Sequence, residues 1–439
     1  YIRNFLEKGE RNMDERDEAL KRDRERQRKR EELRQKREEQ VKKQKKIAAG
    51  VSILALVLLI AGIFAGVQIS KNIKADKARE KARQEKLAKE KEQEENTVEF
   101  LAVGDNIAHQ AIRESGMQEN DVWNYDHVYQ YVKKDVEAAD LSLVTQETVF
   151  VEDRNNVSGY PTFGTPPEFG DALVNTGFDV VAHATNHILD KGTKSIEYTL
   201  DWWKTNHPDT KILGIHESQE AADEITVIKC KKLKIAMLDY TYGLNGLELP
   251  SDKKYLTDVF DAEKARSDIQ RAKEMADVVM VVMHVGVEYQ QDVDDETKQW
   301  VDLFLEEGVD IVIGSHPHVV RTMETLTGED GHKMLVYYSL GNFTSTQNDL
   351  PSLLGAMAKI TIRKNIETGE IEIPEHEFIP LLMYYDRENP AAAIYKLEDY
   401  PEELIKKHSV YKANPTEFSK EYYENLFEEI KSKGNDEEI

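Results

Sequence analysis

Residues 178–192, FDVVAHATNHILDKG, join a short apolar run to a group of polar side chains. The run at 180–182 predicts a buried strand, and Asn186 and His187 come just beyond its end. An amide oxygen beside an imidazole is a frequent pair of metal ligands, but Asn, Asp and Gly at a strand end are also typical of a turn. The stretch alone supports both interpretations, so the evidence that separates them must come from the rest of the chain.

Short, mostly apolar runs alternate with segments of helical period from residue 97 onward. The helical periods cover 261–276 and 295–307. Runs of this length and composition are typical of strands buried on both faces, which predicts an α/β architecture with helices outside the sheet. The six runs are VEFLAV (98–103), LSLV (141–144), DVVA (179–182), KIAML (234–238), VVMVVM (278–283) and VDIVI (309–313).

Further strand-like runs lie near 337–343, 357–363 and 370–380, with no helix between them. This spacing predicts a second, partly antiparallel sheet. We expect one domain over residues 97–385 and a helical C-terminal extension over 386–439.

Five of the predicted strands run out into Asp, Glu, Asn or His. In an open α/β sheet such strand ends gather along one edge, where ligands bind. Five coincidences of this kind predict a metal site with mixed oxygen and imidazole ligands. The candidate ligands are Asp105, Glu147, Asn186, His284, and the His316 and His318 of an HPH sequence.

Each candidate also has a structural explanation. Asp105 follows a glycine and is suited to cap a helix, and Glu147 is suited to a surface turn. His284 ends a strongly apolar strand, where a buried imidazole needs partners, and residues 316–318 hold two imidazoles beside a rigid proline, so these favour ligation. His183 stays open, with a buried structural role favoured over ligation.

Charge divides the chain into two regions. Residues 1–96 carry 27 Lys and Arg against 19 Asp and Glu, whereas the remainder carries 32 against 64, a net charge of −32. The acidic remainder argues against nucleic-acid binding, because it repels a phosphate backbone. Cys230 is the single cysteine, which excludes an intrachain disulfide framework.

The N-terminal region contains a membrane-spanning candidate. Residues 47–69, IAAGVSILALVLLIAGIFAGVQI, carry no charge and reach about 34 Å as a helix, enough for a hydrocarbon core of about 30 Å. Residues 1–46 predict a charged helical segment, which we interpret as a solvated tail rather than an interaction helix. Residues 70–96 predict a charged stalk. The basic cluster 42–46 places the N-terminus in the cytoplasm and the large domain outside the cell.

The region from Val98 to Phe343 resembles the CapA/PgsA family of capsule or poly-γ-glutamate synthesis proteins, whose domain is similar to the calcineurin-like metallophosphoesterases. The order and spacing of the matching stretches make the resemblance specific. It does not extend to the basic N-terminal segment or the final helices. The stretches are VGDN (103–106), TQET (145–148), GFDVVAHATNHILDKG (177–192), YTYGLNG (240–246), HVGVEY (284–289), GSHPHV (314–319) and SLGNF (339–343).

The resemblance implies a four-layer α/β/β/α sandwich with one or two divalent metal ions, of which Mn, Fe, Zn and Mg are candidates. It places Glu147 as a bridging carboxylate, with Asp105 and His318 at one metal. Asn186, His284 and His316 would hold the other metal, and His187 would protonate a leaving oxygen.

Three departures from the family pattern concern the first metal position and the bridging position. The phosphoesterase sequence Asp-x-His is absent, because Ile107 stands two residues after Asp105. His109 is the nearest substitute in the sequence. The bridging position holds a Glu instead of an Asp, and the family's Asn-Leu-Glu sequence at this position is here Thr145-Gln146-Glu147.

Three functions remain open on the sequence alone. The first is a membrane-anchored accessory protein that works with a membrane-bound complex in the synthesis, export or attachment of an anionic polymer such as poly-γ-glutamate. The second is a metal-dependent hydrolase of phosphoesters or of the polymer. The third is a non-catalytic structural ectodomain.

Overall fold

The computed structural model describes residues 3–118 and 122–434, and the chain forms two compact units, Tyr1–Ala88 and Lys89–Ile439. Helix α1 covers Arg3–Glu95. Among the described residues, α1 is the one helix whose length and apolar composition suffice to cross a membrane. The side chains of its uncharged stretch, 47–69, are exposed in the isolated chain.

The remaining elements follow in the order that the sequence predicts for an α/β domain. The helices are α2 Gln110–Gly116, α3 Asp126–Tyr129, α4 Lys133–Ala138, α5 Glu168–Thr176, α6 Thr193–Asn206, α7 Gln219–Ala222, α8 Ala262–Met275, α9 Asp295–Glu307, α10 Glu402–Ile405 and α11 Lys420–Ser432. The strands are β1 Thr97–Asn106, β2 Leu141–Gln146, β3 Val180–Ala182, β4 Lys211–Leu213, β5 Thr226–Cys230, β6 Leu233–Thr241, β7 Val278–His284, β8 Ile311–Ser315, β9 Met323–Thr327, β10 Lys333–Tyr337, β11 Asn342–Thr344, β12 Leu354–Lys364, β13 Ile371–Asp386 and β14 Ala391–Lys396.

The first sheet has the order β14-β13-β12-β1-β2-β3-β4, and β11 also pairs with β1. Strands β1 to β4 are parallel, while β12 to β14 continue the sheet in antiparallel pairing. The six predicted apolar runs all form strands, and α9 begins and ends where the helical period predicts. Its ends are fixed by Asp294, which accepts a hydrogen bond from the Thr297 N–H, and by Gly308 in the left-handed conformation.

The strands near 357–363 and 370–380 do not build a second sheet, contrary to the expectation from their spacing. They form β12 and β13, and β12 pairs with β1 from Thr97 opposite Arg363 to Val103 opposite Met357. The segment 337–343 divides between β10 of the second sheet and β11 of the first. Strand β1 pairs with β2 along one edge, and the backbone groups of its other edge also need hydrogen-bonding partners. β12, which lies far from β1 in the sequence, supplies them.

The second sheet has the order β5-β6-β7-β8-β10-β9. Alternate residues of its strands enter different cores, because successive side chains point to opposite faces. Met280 and Val282 pack toward the first sheet, whereas Val279 and Val281 pack with residues of α8 and α9. Residues of α2 to α5 join the core of the first sheet. The four-layer α/β/β/α sandwich is therefore confirmed.

The stretch assigned to the C-terminal extension contains β14 as well as α10 and α11. His408 anchors the segment between these helices. Its Nε2–H donates to the Met383 carbonyl at 3.1 Å, and its Nδ1 accepts the Val410 N–H at 3.0 Å. The ring stacks on Phe418 with centroids 4.4 Å apart. Both ring nitrogens are used by a neutral imidazole, and burial lowers the pKa of His408 to about 3.

We predict that His408 makes the unit Lys89–Ile439 less stable in acid. The unfolded chain binds a proton near pH 6.5 and the folded chain near pH 3, so the free energy of unfolding falls as pH drops through this window, by about 1.4 kcal/mol per pH unit. Urea unfolding between pH 7 and pH 4 measures the slope. A His408→Gln variant should start less stable but lose less on acidification; an unchanged slope would contradict the prediction.

Candidate metal centre

The structure brings all seven predicted site residues to one place. Parallel strands of both sheets end there, because the carboxyl ends of β1, β2 and β3 face those of β7 and β8. Each residue is buried, including the two carboxylates. Asp105 lies in β1, Glu147 follows β2, Asn186 and His187 follow β3, His284 ends β7, and His316 and His318 follow β8.

Asp105, Glu147 and His318 form the first half of the site. One potential ligand atom from each residue lies within 4.8 Å of those from the other two. His318 Nδ1 is 3.6 Å from Asp105 Oδ2, and its Nε2 is 3.9 Å from Glu147 Oε1. The Nδ1–H donates to Asn342 Oδ1 at 3.1 Å, which leaves Nε2, the nitrogen nearer Glu147, with a free lone pair for a metal.

Asn186, His284 and His316 form the second half. His284 Nε2 is 2.8 Å from Asn186 Oδ1, and the rings of His284 and His316 have centroids 4.8 Å apart. The two halves adjoin at Asp105, whose Oδ1 is 3.6 Å from His284 Nδ1 and whose Oδ2 accepts the His316 N–H at 2.9 Å. The assignment of these residues to two separate metal positions stays a prediction.

The HPH turn holds its imidazoles through an unusual backbone. His316 has φ 94° and His318 has φ 58°, both in the left-handed region. Non-glycine residues in such conformations cost about 1–3 kcal/mol each and cluster at functional sites. The Pro317 carbonyl between them accepts the Tyr289 N–H at 2.8 Å, which ties the turn to the HVGVEY segment.

The centre leaves several buried polar atoms without hydrogen-bond partners. Within the described residues these include Asp105 Oδ1, both carboxylate oxygens of Glu147, and His316 Nδ1. Unpaired buried oxygens are costly, and here they converge with imidazole nitrogens on one space. A divalent cation satisfies such a set, so the residues fit the metal that the fold family implies.

The pKa shifts of the candidate ligands differ between the two halves of the centre. Burial raises the pKa of Glu147 to about 8, against the opposing effect of His318. Burial would lower the pKa of His318, but Glu147 and Asp105 outweigh it and raise that pKa to about 9. Burial, together with neighbouring imidazoles, holds the pKa values of His284 and His316 well below their usual range. The second half therefore presents neutral imidazoles, the form that binds metal.

His187 lies beside the ligands and is held by Asp190. Its Nδ1 is 2.7 Å from Asp190 Oδ2, and its Nε2 is 3.9 Å from Glu147 Oε1. Asp190 also accepts the Phe163 N–H at 2.7 Å. Burial opposes protonation of His187, but the contacts with Asp190 and Glu147 raise its pKa. Asp190 thus fixes the ring with Nε2 toward the centre, a role that the sequence analysis missed although its three-residue spacing from His187 was visible.

Neither His109 nor His183 completes the first half of the site. His109 Nδ1 accepts the Thr346 N–H at 3.3 Å, and burial lowers the pKa of His109 to about 3. His183 Nε2 accepts the Trp203 Nε1–H at 3.0 Å, as its expected structural role requires. Neither belongs to the group of Asp105, Glu147 and His318.

Asn245 and Tyr242, from the YTYGLNG stretch, also border the centre. Asn245 Oδ1 accepts a hydrogen bond from Asn186 Nδ2 at 3.0 Å. The Tyr242 ring lies 4.6 Å from the ring of His316, centroid to centroid. The sequence analysis used this stretch only as part of the family resemblance and assigned neither residue a role.

Comparisons with known proteins identify several similar chains. PGA biosynthesis protein CapA of Bacillus subtilis (strain 168) is 29% identical over 262 residues, covering 58% of this chain and 67% of that protein. Capsule biosynthesis protein CapA of Bacillus anthracis is 23% identical over 291 residues, covering 64% and 68%. Haemophilus influenzae NAD nucleotidase (NadN) is a similar solved structure, with TM-score 0.41 and 11% identity over 77% of this chain and 60% of that one.

The family model described as bacterial capsule synthesis protein PGA_cap matches residues 99–347. That range covers more than half of the chain and contains all seven candidate residues. The chain belongs to the bacterial capsule synthesis protein family PGA_cap.

Proposed function

We propose that this protein is anchored in the cell membrane by residues 47–69 and acts outside the cell in the synthesis, export or attachment of an anionic capsule polymer such as poly-γ-glutamate. The names of the two CapA relatives support the capsule role. The uncharged stretch of α1 supports anchoring, and the basic cluster 42–46 supports a cytoplasmic N-terminus. Its expected partners are a membrane-bound polymer synthesis complex and the polymer.

The observation that carries a metal-dependent role is the pair of buried carboxylates, Asp105 and Glu147, with three unpartnered oxygens between them. When bound, a divalent ion supplies Lewis acidity toward a phosphoryl or carbonyl oxygen. Asp105, Glu147 and His318 would hold one ion, and Asn186, His284 and His316 would hold a second. Mn, Fe, Zn and Mg all remain candidates for this mixed oxygen and nitrogen set.

A second candidate function, hydrolysis of phosphoesters or of the polymer, is favoured by the His187–Asp190 pair. Asp190 holds Nδ1 of the imidazole at 2.7 Å, which leaves Nε2 to carry a proton toward the ligands. A positioned imidazole of this kind donates a proton to a leaving oxygen. The third function, a structural ectodomain, needs neither the pair nor the metal.

The net charge of −32 after residue 96 opposes capture of a polyanion by the surface as a whole. Bridging cations would remove this repulsion locally, because each divalent ion offsets two carboxylates. The same charge argues against nucleic acid as a partner.

We predict that divalent metal stabilises the unit Lys89–Ile439 and that Glu147→Gln abolishes most of this effect. Metal at about 100 times its dissociation constant adds about 2.7 kcal/mol to the free energy of unfolding, and an amide cannot replace the buried negative charge. Thermal unfolding with and without Mn²⁺ or Zn²⁺ measures the gain. The control is Asp310→Asn, which also removes a carboxylate whose pKa is raised by burial, to about 6. This carboxylate accepts the Val279 N–H and is not one of the candidate ligands. A wild type that binds no metal would contradict the proposal.

His187→Asn should distinguish a hydrolase from an accessory protein. If the protein hydrolyses a generic phosphodiester or poly-γ-glutamate, the variant should lower kcat by about 10²- to 10⁴-fold while metal content is unchanged. His207→Asn is the matched control, because His207 also pairs with an aspartate, Asp171, at 2.7 Å. If the wild type binds metal but hydrolyses neither substrate, the accessory role is supported. If cells with His187→Ala and His316→Ala keep full capsule function, hydrolysis of phosphoesters and hydrolysis of the polymer are both excluded as the function.

The topology makes a separate prediction. Protease added to intact cells should remove the unit Lys89–Ile439, because the proposed orientation places it outside the membrane. Immunoblotting against each end of the chain follows the cleavage. Protection of this unit, with cleavage only after lysis, would reverse the assigned orientation.

A further inference from the structure

We infer that Asp239 is a positioning residue that holds the turn of Asn186 in register with His284 and so sets metal affinity at the second half of the centre. The inference deepens the proposed function and rests on it. Asp239 lies in β6 of the second sheet, outside the predicted ligand set, and is 3% exposed.

The Asp239 carboxylate bonds to the backbone of the opposite sheet. Its Oδ2 accepts the His183 N–H at 3.0 Å and the Ala184 N–H at 2.8 Å. These two amides come directly after β3, where the chain enters the turn that carries Asn186 and His187. A side chain of one sheet thus fixes the start of a ligand-bearing turn of the other.

This connection matters because the second half of the centre spans both sheets. Asn186 follows a strand of the first sheet and His284 ends a strand of the second, yet their side chains meet at 2.8 Å. The strand of Asp239 is fixed to the same histidine, since Thr241 is the partner of His284 in the β6–β7 ladder and the Tyr242 N–H donates to the His284 carbonyl at 3.0 Å. Asp239 therefore links the two ligands by a short path.

Gly214 shows how closely the sheets approach at this point. A Cβ atom there would lie 2.3 Å from Asp239 Oδ2 and 2.5 Å from the Ala184 nitrogen. Its φ of 77° is also a conformation that favours glycine. The Gly214 carbonyl accepts the Thr257 Oγ1–H at 2.7 Å. A glycine at the end of β4 leaves the space that the Asp239 carboxylate occupies.

The expected effect is confined to one half of the centre. Among the described residues, the hydrogen bonds of the Asp239 carboxylate run to His183 and Ala184, and none runs to Asp105, Glu147 or His318. Loss of Asp239 should thus free the Asn186 turn while the first half keeps its contacts.

The test compares Asp239→Ala and Asp239→Asn in the full-length protein in detergent. Asparagine keeps an acceptor oxygen, and burial raises the pKa of Asp239 to about 8, so the amide resembles the largely neutral acid at pH 7. Asp310→Ala is the matched control, because its carboxylate accepts the Val279 N–H at 2.7 Å at the opposite ends of the strands. Titration with Mn²⁺ alone gives metal affinity, and hydrogen exchange of the peptide 180–189 in metal-free protein gives the order of the turn.

We expect Asp239→Ala to weaken one Mn²⁺ equivalent by about 10- to 100-fold, the usual effect of losing a partner behind the ligands. The amide of Ala184 should exchange faster, because its hydrogen bond runs to Asp239, whereas the His183 N–H also donates to the Leu213 carbonyl. Asp239→Asn should restore both properties, and Asp310→Ala should leave both unchanged. Unchanged Mn²⁺ affinity and exchange in folded Asp239→Ala would overturn the inference, as would an equal loss in Asp310→Ala.

Two further outcomes remain decisive. If the wild type binds no metal, the proposed metal-dependent function fails. The positioning role is then tested by hydrogen exchange of residues 183–189 alone: faster exchange in Asp239→Ala supports it, and unchanged exchange overturns it. If Asp239→Ala does not fold, Gly214→Ala replaces it, because the added Cβ displaces the same carboxylate. Gly214→Ala with normal Mn²⁺ affinity and exchange would then overturn the inference.

Discussion

The buried carboxylates of Asp105 and Glu147 impose the main physical constraint on this domain. Both are fully buried, and three of their four oxygens lack partners among the described residues. Isolated charges in such a place are expensive and must be neutralised by protons, by His318, or by a bound cation. The fold tolerates this arrangement because β1 and β2 are central strands of a sheet that is covered on both faces, so neither carboxylate can turn outward to water.

Close backbone packing beside the centre explains glycines in two of the family-like stretches. A Cβ at Gly104, in VGDN, would lie 1.9 Å from the Gly341 carbonyl oxygen, and one at Gly314, in GSHPHV, would lie 2.2 Å from the Tyr338 carbonyl oxygen. These glycines let backbones approach where the two sheets converge on the ligands. They serve packing, while the neighbouring Asp105 and His316 serve the centre.

The sequence predicted the features that local patterns encode. Continuous apolar runs identified β1, β2, β3, β6, β7 and β8, and the strand ends located Asp105 and His284 at one edge. It could not assign β12 to the first sheet, because pairing between β1 and β12 depends on segments far apart in the chain. It also missed the hydrogen bond of Asp190 to the His187 ring and those of Asp239 to backbone amides, because no pattern of residue types shows such contacts.

Strand β1 begins at Thr97, separated from the end of α1 by the single residue Asn96, and its last two residues are Asp105 and Asn106. It is hydrogen-bonded to antiparallel β12 over residues 97–103 and to parallel β2 over residues 100–106. The bonds of an antiparallel ladder run across the strands, so a tensile force applied to the chain before Thr97 loads them in shear, together and not one at a time. If residues 47–69 anchor the chain as proposed, tension on the segment before Thr97 would act first on the strand that carries Asp105.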